Sequence, residues 1–150
     1  MVEYQLKVNK ENVYQEVSKT TSYTGSKMKD DSKAYDRIYA TKFDREMLER
    51  FWNESKNTVC NSLKKFMVSE GESGSEYVIT LALSSSFDET LLESMNRSLF
   101  SFMVMNIVAK WYVFTNKEEA QSYSQNASSM LEDLMRKTFF KKKPQRPTYH

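Results

Sequence analysis

The chain of 150 residues is poor in the residue types that most catalytic and metal sites require, with one cysteine, one histidine, three glycines and two prolines. The single cysteine, Cys60, cannot form an internal disulfide, so a disulfide framework is excluded. Cys60 and His150 together are too few for a Cys/His zinc site, which takes about four such ligands. A histidine at the last position also argues against a His general base or a Ser-His-Asp triad. We therefore expect no enzymatic activity, no metal and no other cofactor.

Phosphate-binding motifs are missing as well. The sequence contains neither the GxxxxGK[ST] pattern of P-loops nor the GxGxxG pattern of dinucleotide-binding folds. A GxxG spacing occurs at Gly71–Gly74, but Glu70, Glu72 and Glu76 surround it and would repel a phosphate group. We expect no nucleotide or other small-molecule substrate.

Large apolar side chains are abundant: nine Phe, nine Tyr, two Trp and nine Met. This is too many for a disordered chain, and the length favours one domain. Scarce glycine and proline favour long helices over a turn-rich sandwich or barrel. The start of the chain lacks the basic and then apolar pattern of a signal peptide, and no run reaches the ~20 apolar residues of a spanning helix. We therefore expect a soluble protein, made in a cytoplasm, without a membrane partner.

Two segments alternate between apolar and polar or small residues, which is the period of a β-strand. The first is Val2–Val8 and the second is Tyr77–Leu83, which follows the glycine-containing turn at residues 70–75. An isolated strand leaves its backbone groups unpaired, so the two strands are expected to be neighbours in one small sheet.

Helical periodicity and capping residues predict the rest of the fold. Asn9 caps a helix that fades near Gly25, residues 26–35 form a polar loop, and a strongly amphipathic helix covers residues 44–67. Asp88 caps a helix to about Thr115, and Asn116 with Glu119 forms a capping box for a last helix. Its inner face would comprise Ala120, Tyr123, Ala127, Met130, Leu131 and Leu134. We expect a mainly α fold, a bundle of about four helices with a small two-stranded β element (or, alternatively, an α+β fold), with one domain over residues 1–140 and a basic tail over residues 141–150.

Residues 98–109 contain no charged side chain, and their apolar residues surround the whole circumference of a helix. Such a helix is covered on all sides, either by its own domain as a central core helix or in part by another chain. A four-helix domain of this size has difficulty surrounding a helix completely, which keeps the second interpretation open. The candidate oligomer or partner interface consists of Phe100, Phe102, Met103, Val104, Met105 and Trp111.

Charge is segregated at the end of the chain. Residues 136–150 include six basic side chains and no acid, whereas the other 135 residues hold all 20 acids and the remaining 16 bases. A basic tail attracts phosphates or an acidic protein surface, although bases at a helix C-terminus also oppose the helix dipole. Lys141, Lys142, Lys143 and Arg146 are the candidate contacts to DNA or to a protein partner.

The second half of the chain also resembles a known family. An apolar helix ends in the residues AKWYVFT (109–115), NKEEAQSY (116–123) and a small-residue stretch follow, and MLEDLMRKTFF (130–140) precedes the basic, proline-containing residues 141–147. This order of elements, over about residues 88–147, is similar to the end of small helical head–tail connector (adaptor) proteins of tailed bacteriophages, especially those of gut Bacteroidetes phages and prophages. The two strands depart from the simplest all-helical version of that family.

The resemblance implies a structural virion protein located at the head–tail junction and made in the bacterial host. It implies a homo-oligomer, a dodecameric ring bound to the portal and tail proteins, with possible DNA contact in the channel and no catalysis. The alternative from the residues alone is a nucleic-acid-binding accessory protein that uses the basic C-terminal tail.

Overall fold

The computed structural model describes residues 1–27 and 44–144, and it is mainly helical with one small antiparallel sheet, as the sequence predicts. Its elements in chain order are β1 (Val2–Asn9), α1 (Lys10–Lys27), α2 (Arg45–Leu63), β2 (Met67–Ser73), β3 (Glu76–Leu83), a 3-10 turn (Glu89–Leu91), α3 (Leu92–Thr115) and α4 (Lys117–Lys137). The loop predicted after α1 lies mostly outside the described residues.

The sheet has the strand order β1–β3–β2, so the two predicted strands are indeed neighbours, and β2 is a third strand that periodicity did not indicate. The helix predicted over residues 44–67 ends earlier, at Leu63, and β2 begins at Met67. Glu70 and Glu72 occupy the β2 positions opposite the buried Ile79 and Tyr77. Because acids stand where apolar residues would mark a strand, β2 has no alternating pattern to detect.

Two of the three predicted helix caps are confirmed. The Asn9 side chain accepts a hydrogen bond from the Asn12 N–H at 3.0 Å, and the Asp88 side chain accepts one from the Thr90 N–H at 3.1 Å, where the turn leading into α3 begins. The capping box at Asn116 is wrong: its backbone oxygen, not its side chain, accepts from the Glu119 N–H, and its Nδ2 is buried without an acceptor.

The helix α3 lies at the centre of the domain, between the other helices and β1. Its buried side chains point in all directions and include Met95, Leu99, Phe102, Met103, Ile107, Val108 and Tyr112. The helices cover one face of the sheet, which contributes Leu6, Val8, Tyr77, Ile79, Leu81 and Leu83 to the same core. Complete burial of these side chains stabilises the domain by about 1.5–3 kcal/mol each.

With its preceding turn, α3 (Glu89–Thr115) has the length and mean hydropathy of a membrane span, which corrects the expectation that no segment of the chain does. Of its most apolar window, 56% is buried inside the domain.

The last two helices form an antiparallel hairpin. Ser98 near the start of α3 donates to the Asp133 carboxylate near the end of α4 at 2.9 Å, while the rings of Tyr112 and Tyr123 meet edge to face near the connection. The predicted inner face of α4 is confirmed, since Ala127, Leu131 and Leu134 are buried and Ala120, Tyr123 and Met130 pack partly buried against the core.

Candidate functional site

The chain beyond α4 folds back onto the loop between β3 and α3. The Asp88 N–H donates to the Phe140 carbonyl at 3.0 Å, and the Lys142 N–H donates to the Ser86 carbonyl at 2.8 Å. Phe87 and Lys141 form an antiparallel bridge between these two bonds. The backbone is therefore fixed as far as Lys142, and the first residues of the predicted basic tail are part of the folded body.

The side chains of this segment point largely outward. Phe139 is 57% exposed and Phe140 is 45% exposed, and Lys141, Lys142 and Lys143 are all exposed. The buried edge of Phe139 meets the Phe66 ring at a centroid distance of 5.1 Å. Residues 139–143, here named the basic end, thus present two half-exposed aromatic rings beside three cations on a fixed backbone.

Not all the basic side chains predicted for this region are available to a partner molecule. Lys137 is only 15% exposed at its side chain, and its ammonium lies 2.7 Å from the Asp133 carboxylate and 2.5 Å from the Ser94 hydroxyl. The hydrogen bond from Lys137 holds the pKa of Asp133 below its usual range, so this carboxyl stays ionised. Lys142 has a looser partner in Glu89, at 3.6 Å. Arg146 lies outside the described residues.

The predicted interface on α3 is largely inside the domain. Phe102, Met103, Val104 and Trp111 are buried by the chain's own helices and sheet, and Phe100 and Met105 are partly buried against the same core. A four-helix domain with a sheet does surround this helix, so these four side chains are not available to a partner in this fold. Their burial agrees with the other interpretation of this helix, a central core helix covered by its own domain.

The exposed apolar side chains of α3 lie at its C-terminal end, which the sequence did not single out. Val113 is 51% exposed and Phe114 is 66% exposed, with the Phe114 ring stacked on Phe51 at a centroid distance of 6.4 Å. The next residues after the turn, Lys117, Glu118 and Glu119, are exposed. Residues 113–119, here named the acidic end, therefore combine exposed apolar side chains with two acids and one base. Because the apolar residues of α3 continue without interruption, the sequence pattern does not indicate where the helix leaves the core.

An open groove of about 330 Å³ runs between α3 and α4 at the acidic end. Ala109, Val113 and Ala120 provide its apolar wall, and Asn106 and Lys110 are among its polar residues. Small side chains on both helices leave this space, since neither alanine reaches across it.

A second cluster joins α1, α2 and the sheet through charged and aromatic side chains. The Trp52 indole N–H donates to the Glu72 carboxylate, which also lies 3.0 Å from the Lys56 ammonium. Partial burial alone would raise the pKa of Glu72, but these two donors outweigh it and hold the pKa below its usual range. Lys10 makes the same kind of pair with Glu49 at 2.6 Å. These groups neutralise one another, which indicates a structural role.

Within residues 1–27 and 44–144, no three His, Cys, Asp or Glu side chains are grouped closely enough to hold a metal ion. Comparisons of the chain with protein-family models, with curated proteins and with solved structures gave no match. The exposed apolar side chains of α3 and of the segment after α4 lie, with charged neighbours, at the two ends of the α3–α4 hairpin.

Proposed function

We propose that this chain is a structural, non-catalytic protein of a tailed-phage virion, a head–tail connector whose copies assemble into a ring between portal and tail. The sequence resemblance over residues 88–147 suggests the connector class. The distribution of exposed apolar side chains supports an assembly role independently of that resemblance.

The observation on which the proposal depends is the exposure of large apolar side chains at both ends of α4. Val113 and Phe114 lie at one end, and Phe139 and Phe140 lie at the other. Helix α4 has 21 residues, so the two patches are about 30 Å apart. Phe114 and Phe139 each contact one ring of the domain, Phe51 and Phe66, yet more than half of each side chain stays exposed. Exposed aromatic residues flanked by charged ones are typical of protein–protein contacts, and two separated patches suit a subunit with more than one neighbour.

A protein partner suits the basic end better than DNA does. Two half-exposed phenylalanines accompany the three lysines, and one of those lysines, Lys142, already has Glu89 as a partner. Binding through the phosphate backbone gains its strength from several cations that are free to release counterions. Aromatic side chains beside cations fit the mixed apolar and polar composition of a protein interface instead.

The test is assembly with the portal protein of the phage genome that the proposal assigns to this chain. The two proteins are produced together, purified and weighed by native mass spectrometry. We expect a complex that contains many copies of the 17.7 kDa chain on the portal ring. A chain that stays monomeric and ignores portal at high concentration contradicts the proposal.

A parallel measurement examines the nucleic-acid alternative. DNA affinity is measured across a salt series for the unchanged chain and for a variant with Lys141, Lys142, Lys143 and Arg146 replaced by alanine. Strongly salt-dependent affinity that the replacement abolishes, in a chain that does not bind portal, favours the nucleic-acid-binding function over the connector.

A further inference from the structure

We propose that the basic end of one copy docks on the acidic end of the next copy, so that a single head-to-tail contact repeats around the assembly. This inference rests on the proposed function in one respect, because it takes the chain to be an oligomer. It goes further by identifying the occupant of both exposed patches as a second copy of this chain.

The two ends are complementary in charge. Lys141, Lys142 and Lys143 are exposed at one end, while Glu118 and Glu119 are exposed at the other beside Lys117. Lys110, which lines the groove next to the acidic end, is paired with the Glu54 carboxylate at 3.1 Å. The helix dipole accounts for acids in the first turn of α4 and bases in its last turn. It does not account for the three lysines, because they lie beyond the end of α4, on a segment whose backbone is held against another loop.

The two ends are also complementary in shape. The basic end projects the rings of Phe139 and Phe140 from an anchored backbone. The acidic end offers the exposed Val113 and Phe114 and, beside them, the groove between α3 and α4. An aromatic side chain inserted into a groove with an apolar wall, with opposite charges around it, is the usual anatomy of a contact centre and its rim.

The position of the ends limits the symmetry of the contact. They lie at opposite ends of α4, so in a head-to-tail row each copy uses one end for each neighbour. Joining unlike surfaces in this way gives a heterologous contact, which closes into a ring where the rotation allows it. Two basic ends, or two acidic ends, would repel each other, so the charges disfavour a dimer that joins like ends. An antiparallel dimer that joins both pairs of unlike ends is isologous, and native mass spectrometry separates it from the head-to-tail assembly by its mass of two chains.

Charge reversal with rescue tests the contact in the full chain. One variant carries Lys141→Glu and Lys143→Glu, and the other carries Glu118→Lys and Glu119→Lys. Controls reverse one exposed charge of each sign on α1, which belongs to neither end, Lys19→Glu and Glu16→Lys. Association is measured by sedimentation velocity and by native mass spectrometry at low and at high salt.

We expect each end variant alone to associate at least ten-fold more weakly than the unchanged chain, and the controls to match it. Mixing the two end variants, or combining all four changes in one chain, restores association because opposite charges face each other again. Raising the salt concentration weakens association of the unchanged chain and reduces the difference in affinity between it and the end variants.

Three results overturn the inference. The first is an oligomer that neither end variant weakens, which leaves the connector function intact while placing the contact elsewhere. The second is a loss of association that neither mixing nor combining the variants restores, since pairing of the two ends requires that rescue. The third is an end variant that loses portal binding while associating normally, which assigns that end to portal. Failure of the connector function itself appears separately, as absence of portal binding by the unchanged chain.

Discussion

Replacing Phe87 with alanine should both destabilise the domain and release the basic end. Phe87 is 1% exposed, and its ring meets the Tyr4 ring edge to face at 5.1 Å. It is also the residue opposite Lys141 in the bridge that holds the basic end. The same side chain therefore fixes the loop between β3 and α3 in the core and positions the backbone to which residues 140–142 bind.

Truncation of a fully buried phenylalanine to alanine costs about 3–5 kcal/mol. We expect a value near the lower limit, about 3 kcal/mol, because the site borders a loop and a chain end that can relax into the space. Domains are stable by about 5–15 kcal/mol, so the variant folds but loses a large share of that free energy. With a urea m-value of about 2 kcal/mol/M, the unfolding midpoint falls by about 1.5 M.

Two measurements check this expectation. Urea unfolding followed by circular dichroism gives the change in stability, and hydrogen exchange gives the protection of the Lys142 N–H, which donates to the Ser86 carbonyl. The control is Phe114→Ala, which removes the same ring at a position that is 66% exposed and should cost less than about 1 kcal/mol. If Phe87→Ala costs no more than the control, or if the Lys142 N–H stays as protected as before, Phe87 does not anchor the basic end.

Three further changes test the polar interactions of the body. Glu72→Leu leaves the indole N–H of Trp52 without its acceptor and should cost about 1–3 kcal/mol in urea unfolding, with a shift in the tryptophan fluorescence; unchanged stability contradicts it. Because the pKa of Asp133 is lowered, its stabilising pair with Lys137 is complete above the ordinary aspartate range and is lost as the pH falls through the lowered pKa. Asp133→Asn should therefore flatten the acid limb of a plot of unfolding free energy against pH. Asn116→Ser removes a buried Nδ2 without an acceptor and should raise the melting temperature or leave it unchanged, whereas a clear fall would show that this amide has a partner.

Much of the fold could be predicted because local patterns and tertiary packing agree. The alternation in residues 2–8 and 77–83 reports strands whose apolar side faces the helices, and Leu6 lies opposite Ile79 in the observed register. The apolar positions spaced three and four apart in α4 face the core, because residues at that spacing lie on one side of a helix. Asn9 and Asp88 were recognisable because a side-chain cap is a local interaction, determined by residues two or three positions away.

The prediction failed where a residue's environment depends on distant parts of the chain. Strand β2 exists because β3 supplies its hydrogen-bonding partner, while Glu72 on its inner side is satisfied by Trp52, 20 residues earlier. Asn116 has the residue type of a cap, but the tight connection between α3 and α4 turns its backbone oxygen, not its side chain, toward the helix.

The candidate sites were harder to predict than the fold. In α3 the apolar residues form no stripe, so periodicity could not separate Phe102 in the core from Phe114 at the surface. The basic end was recognisable from charge alone. The anchoring of its backbone could not be predicted, because the hydrogen bonds that Lys142 donates and Phe140 accepts connect segments more than 50 residues apart in sequence.

The low net charge of the chain is consistent with repeated contacts between identical copies. With 22 bases and 20 acids each copy adds little net charge, so copies gathered in one assembly repel one another weakly. The charges that remain separated at the two ends of α4 can then orient an approaching copy. Exposed ion pairs contribute only about 0–1 kcal/mol each, so in the proposed contact Lys141–Lys143 and Glu118–Glu119 would set the direction and rate of association more than its affinity. In the proposed contact, affinity comes from burying Phe139, Phe140, Val113 and Phe114, the exposed apolar side chains that lie beside the charges at the two ends.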